Sequence, residues 1–190
     1  MGVTVGLEKI HVAKLLTDTD TAATYEVPEK LAEALTATIT RNSTTNTLYA
    51  DNKASETVTK TGSTTVEIGI DQLSTEMEAL LLGHTVNADG VIVKNKDDVA
   101  PYVALGFSGT QSDGKEKLIW LFKGKFQPPA SNYTTQGENI EFQTPTLSGT
   151  FINRDFDGLS EASVNTGDAG VNAAVVTGWF TEVYEEPVTP

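Results

Sequence analysis

The stretch PYVALGFSGTQSDGKEKLIWLFKGKFQPPASNYTTQGENIEFQTPTLSGTF, residues 101–151, decides the fold. Val103, Leu105 and Phe107 alternate before SDGK, where Asp113 and Gly114 make a favoured tight turn. The returning run puts Leu118, Trp120, Phe122 and Phe126 on one face and Lys117, Lys123 and Lys125 on the other. Pro128 and Pro129 end it. A third run, 140–151, is interrupted near Pro145. Three strand-like runs separated by turns, with no catalytic constellation among them, predict a β-rich building block.

The same alternation extends outward. Residues 3–16 read as a first strand that ends in a polar turn at 18–21. In residues 31–41, Leu35, Ala37 and Ile39 share one face, and Thr36, Thr38 and Thr40 the other. The LAEAL start of that run is equally compatible with a helical turn. Residues 64–71 alternate again, Val66, Ile68 and Ile70 against Thr65, Glu67 and Asp71. Between these two runs lies RNSTTNTLYADNKASETVTKT, residues 41–61, with few apolar anchors beyond Leu48, Tyr49 and Val58. A polar connection of this length is expected to be a functional loop that orders on meeting a partner.

One helix is expected at 74–82. Ser74 is a good N-cap, Glu76 suits the first turn, and Gly83 supplies the stop. Met77, Leu80 and Leu81 form its apolar stripe, expected to pack on the sheet. A short strand follows at 90–93. The chain reads as a single domain, 1–190, with the polar loop at 41–61 and a C-terminal arm from 153.

Composition restricts the function. Thirteen basic against 26 acidic residues give a net charge of −13, which argues against binding nucleic acid through phosphate contacts. Hydrophobic content of 38% leaves a sizeable share of the chain for polar surface. Cysteine is absent, which excludes disulfides, thiolate metal sites and a cysteine nucleophile. The opening MGVTVGLEKIHVAKLL fits neither a secretory signal nor a myristoylation start, and no apolar run reaches membrane-spanning length.

Chemical motifs are weak. NRDFDGLSE, residues 153–161, imitates the first half of a calcium loop, but Val164 stands where the closing Glu belongs, so a plain acidic turn is expected. The carboxylates at Asp18 and Asp20 are weaker still. His11 and His84 lack a nucleophile or carboxylate motif and are expected to be structural. The glycines follow no nucleotide-binding pattern. Lys115, Lys117, Lys123 and Lys125 are expected to pair with an acidic face of a neighbouring subunit. No cofactor, metal site or enzymatic activity is expected.

Five segments, in order, carry a resemblance: IGIDQLSTEMEALLLGHTVNADGVIV, DDVAPYVALGFSG, SDGKEKLIWLFKGKF, YTTQGENIEFQTPTLSGTF and TGWF. Across residues 64–179 the chain resembles the major tail protein family of long-tailed phages of Gram-positive bacteria. The resemblance implies two packed β-sheets with a flanking helix and a long hairpin loop that reaches the next ring. It also implies hexameric rings stacked into a tube for DNA ejection. Its partners would be further copies of itself, the tape-measure and tail-terminator proteins, and DNA in non-sticking transit, with no membrane.

On that analogy the ring-stacking residues are Thr44, Thr45, Asn46, Leu48, Tyr49 and Asp51. Alternation and the same analogy nominate Thr36, Thr38, Thr40, Thr65 and Glu67 for the lumen. The rival reading is a β-sandwich receptor- or carbohydrate-binding module with Trp120, Tyr133 and Trp179 as a stacking platform.

Overall fold

The computed structural model describes residues 2–50, 52–130, 135 and 144–187. In chain order the elements are β1 (Thr4–Thr19), β2 (Ala22–Tyr25), β3 (Glu29–Lys30), β4 (Ala34–Ala50) and β5 (Lys53–Ile70), then α1 (Thr75–Leu82). They continue with β6 (Thr85–Val86), β7 (Ile92–Val93), β8 (Val103–Gln111), β9 (Glu116–Phe126), β10 (Thr146–Ile152), β11 (Glu161–Asn165) and α2 (Ala173–Gly178). The mainly β expectation holds. A large antiparallel sheet runs β2-β1-β8-β9-β10-β5-β4, with β11 also on β9 and β3 on β1, while β6 and β7 form a separate small sheet. The layering comes from the large sheet curling on itself, so that β4 comes close to β1 and one face closes around a core.

That inner core joins Ile10 and Val12 of β1, Val66, Ile68 and Ile70 of β5, Val103, Leu105 and Phe107 of β8, and Leu147 and Phe151 of β10. Helix α1 packs onto it through Met77, Leu81 and Leu82. The Ser74 side chain accepts from the Met77 N–H, and Gly83 ends the helix at φ 73°, as its sequence predicts. Leu80, the middle of the expected stripe, is only partly buried, and Leu82 takes the deeper place.

A second core lies on the outer face, where Leu118, Trp120 and Phe122 of β9 meet Ala13, Ala104, Trp179 and Val183. Residues expected to form an arm from 153 supply its cover: β11 extends the sheet along β9, and the segment through α2 to Val183 packs over it. The Trp120 indole N–H donates to the Trp179 carbonyl at 2.8 Å, the hydrogen bond a buried indole requires. Strand β9 is therefore buried on both faces, which corrects the expected one-sided alternation. A bulge between the pairs Val103–Gly124 and Leu105–Leu121 sends Phe126 to the inner core, opposite Phe122. A similar irregularity after Ala34 turns Leu35 outward, 53% exposed, while Ile39 stays on the core side.

Of residues 41–61, expected as an irregular loop, 41–50 and 53–61 lie in the β4–β5 ladder, with Asn52 at φ 61°. Threonines on this segment pair across the strands: the hydroxyls of Thr45 and Thr59 are 2.9 Å apart, and those of Thr47 and Thr57 3.3 Å. Such β-branched cross-strand pairs favour a ladder over a loop.

Close backbone approach sets two checks on this packing. A Cβ on Gly124 would lie 2.3 Å from the Phe151 ring, so Gly124→Ala is expected to cost about 1–3 kcal/mol. Leu81→Ala, at a position 1% exposed, is expected to cost about 2–5 kcal/mol. Urea unfolding reads both, and losses below about 0.5 kcal/mol would place these residues outside the core.

Candidate functional site

Three features stand out: a hydroxyl-rich face of the sheet, the ribbon that extends it, and an ion cluster below the outer core. On β4 and β5, Thr36 pairs with Gly69, Thr38 with Glu67 and Thr40 with Thr65. Thr36, Thr38, Thr40 and Glu67 are exposed and Thr65 is half-buried, while Val66, Ile68 and Ile70 point into the core. The five nominated residues thus share one face. Pairing of β10 with β5 adds Thr146, Ser148 and Thr150 beside them. Those three were legible in the alternation of TLSGTF but are missing from the nominated set.

The ribbon extends the same ladder. Thr44 pairs with Lys60, Asn46 with Val58 and Leu48 with Glu56. Thr45 pairs with Thr59 and Tyr49 with Ala54, and Asp51 falls outside the described residues. Residues 41–49 and 52–62 are all exposed, Leu48 at 61% and Tyr49 at 69%. The ribbon's root is tied to the body where Arg41 makes a two-pronged contact with Glu161 of β11, closest at 2.8 Å. An exposed pair of this kind stabilises little but fixes direction.

The lysines do not form one outward stripe. Lys123 is buried and its ammonium donates to Asp18 at 2.6 Å and Asp155 at 2.8 Å. Lys125 lies over the Tyr102 ring at 4.4 Å. Beside them Arg154, 1% exposed, donates to Asp157 and covers the Phe122 ring at 4.2 Å. The Asp18 carboxylate also accepts the backbone N–H groups of Asp155 and Phe156. Asp155 and Asp157, the heart of the calcium-like motif, thus each have a cation of this chain as partner. Among the described residues no cluster of three or more metal-ligating side chains occurs.

Both histidines have local partners as well. The His84 Nδ1 is 2.7 Å from the Asp98 carboxylate, and His11 stacks on Phe180 with ring centres 4.7 Å apart. Trp120 and Trp179 are buried in the outer core, so they offer no stacking platform for a sugar, and Tyr133 lies outside the described residues. No described helix is long and apolar enough to cross a membrane.

Burial alone raises the pKa of Asp18, but the Lys123 hydrogen bond and two backbone donors outweigh it and hold the carboxyl below its ordinary value. The Arg154 hydrogen bond does the same for Asp157, against a smaller effect of burial. Depressed folded-state values stabilise the protein above the unfolded carboxyl value of about 3.9, and that contribution is lost as pH falls through the folded values. Asp18→Asn is expected to cost about 1–3 kcal/mol at neutral pH, because the buried Lys123 keeps Asp155 but loses its charged hydrogen bond to Asp18. Its stability should also fall less steeply than that of the parent below about pH 4 in acid titrations followed by circular dichroism. Equal slopes would remove Asp18 from the acid response.

A family model described as phage tail tube protein aligns with residues 5–178. No curated protein matches the chain significantly.

Proposed function

The chain belongs to the phage tail tube protein family, and from that premise we propose that it is a non-enzymatic subunit of hexameric rings stacked into a DNA conduit. The observation that carries the stacking role is the ribbon. Two strands exposed on both faces are marginal in water, because ordering a backbone costs about 1–2 kcal/mol per residue and this ribbon buries no core of its own. A neighbouring subunit supplies the missing contacts. The ring-stacking residues are then Thr44, Thr45, Asn46, Leu48, Tyr49 and Asp51.

The hydroxyl-rich face supplies the lumen, with Thr36, Thr38, Thr40, Thr65 and Glu67 turned to the DNA. Hydroxyls bind phosphate without holding it, and a net charge of −13 repeated around a ring opposes sticking. The tape-measure protein would occupy this channel before ejection, and the tail terminator would close its end.

Deleting residues 44–59 is expected to leave a folded subunit, since among the described residues neither core includes any of those removed, and the Ser43–Thr61 pair can open to form the new turn. That variant should form no tubes by negative-stain microscopy, and normal tubes would overturn the stacking role. A Thr38→Lys, Glu67→Lys double variant should assemble normally yet eject DNA more slowly. Ejection at the parental rate would remove this face from the lumen.

A further inference from the structure

We infer that the cleft between β2 and the 174–187 segment receives an extended, lysine- or arginine-bearing segment of a different protein. The cleft has a volume of about 800 Å³. Its walls carry three aromatic rings, Tyr25, Trp179 and Tyr184, and three carboxylates, Glu26, Glu182 and Glu185, but no lysine, arginine or histidine. Clefts elsewhere on the body differ: the one beside Leu7 holds Lys9, His11 and Lys30, and the one beside Gln111 holds Lys115. Ring faces and carboxylates are the two kinds of surface that attract an ammonium or guanidinium group.

Two of these carboxylates have no cation of their own. Lys14 lies 3.9 Å from Glu26, whereas Glu182 and Glu185 are exposed and form no ion pair among the described residues. Further copies of this chain bring the same net charge of −13. The charge-complementary occupant is therefore a basic segment of another protein.

The backbone of the walls points to a polypeptide. Strand β2 ends the strand order of the sheet and has a strand neighbour on one side only, so its other edge offers backbone groups to an extended segment. Trp179 is 3% exposed, and its indole N–H has no hydrogen-bond partner among the described residues, unlike that of Trp120. A backbone carbonyl entering beside it supplies the missing acceptor. Val27, 75% exposed, adds apolar surface on which the stem of a lysine or arginine packs while its charge meets the glutamates.

Calorimetric titration of the full chain with an end-capped octapeptide of alternating threonine and lysine tests this. The peptide should bind at a single site at low salt, and its counterpart with glutamine in place of every lysine should not bind. Glu182→Lys combined with Glu185→Lys should weaken binding at least about tenfold. Both positions are exposed, so the fold is not disturbed. Asp89→Lys combined with Asp97→Lys, exposed positions outside the cleft, should leave the affinity unchanged. Failure of the lysine peptide to bind overturns the inference. So do equal losses in the two double variants, which mean attraction to net charge alone. Displacement of the peptide by an equal concentration of lysine methyl ester also overturns it, because the cleft then takes a lone cation and not a segment.

Discussion

Everything in this fold depends on a strand that has no solvent side. Strand β9 gives Ile119, Leu121 and Phe126 to the inner core and Leu118, Trp120 and Phe122 to the outer one. A sheet in such a position must be covered twice. The inner cover comes from the sheet's own curl and from α1, and the outer cover from the segment that ends near Val183. Apolar burial of this kind stabilises by about 25 cal/mol per Å² removed from water, which makes the two cores the main source of stability. The glycines opposite large rings make it possible: Gly106 leaves room for the Trp120 indole, and Gly124 for the Phe151 ring.

The buried ions serve the same arrangement. Asp18 sits at the end of β1, Lys123 in β9 and Asp155 in the turn after β10, so their contacts tie three distant parts of the chain below the outer core. A buried lysine without partners would be costly, and here both of its carboxylates and two backbone donors are used. Outside this body the chain is different in kind. The ribbon has hydroxyl pairs in place of a core.

Much of this was legible in the sequence, and the exceptions have physical causes. The helix at Ser74, the turn at Asp113 and Gly114, and the alternating runs of β4, β5 and β8 are local signals, and they held. Alternation failed for Phe126 because a bulge shifts register by one residue, and for Leu35 for the same reason. The ribbon was read as a loop because threonine pairs stabilise a ladder only after the strands have met. Helix α2 was missed: six residues are too few to show a period, although Asn172 is a recognisable cap. The ion cluster was invisible, since Lys123 is 105 residues from Asp18. Thr36, Thr38, Thr40, Thr65 and Glu67 share one face of the sheet as their alternation predicts, because a strand with one core face leaves its other face to be read directly; their nomination for the lumen drew on analogy as well.

The position of the outer core's cover along the chain carries a consequence for synthesis. Strand β9 leaves the ribosome with Leu118, Trp120 and Phe122 turned to the outer face, while Trp179 and Val183, which cover them, follow only after every strand of the large sheet has been made. A nascent chain therefore carries an apolar face without its cover until the segment beyond β11 has emerged. Transiently exposed surface of this kind is prone to aggregation, so the order of the residues sets the interval during which the chain must be kept apart from its neighbours.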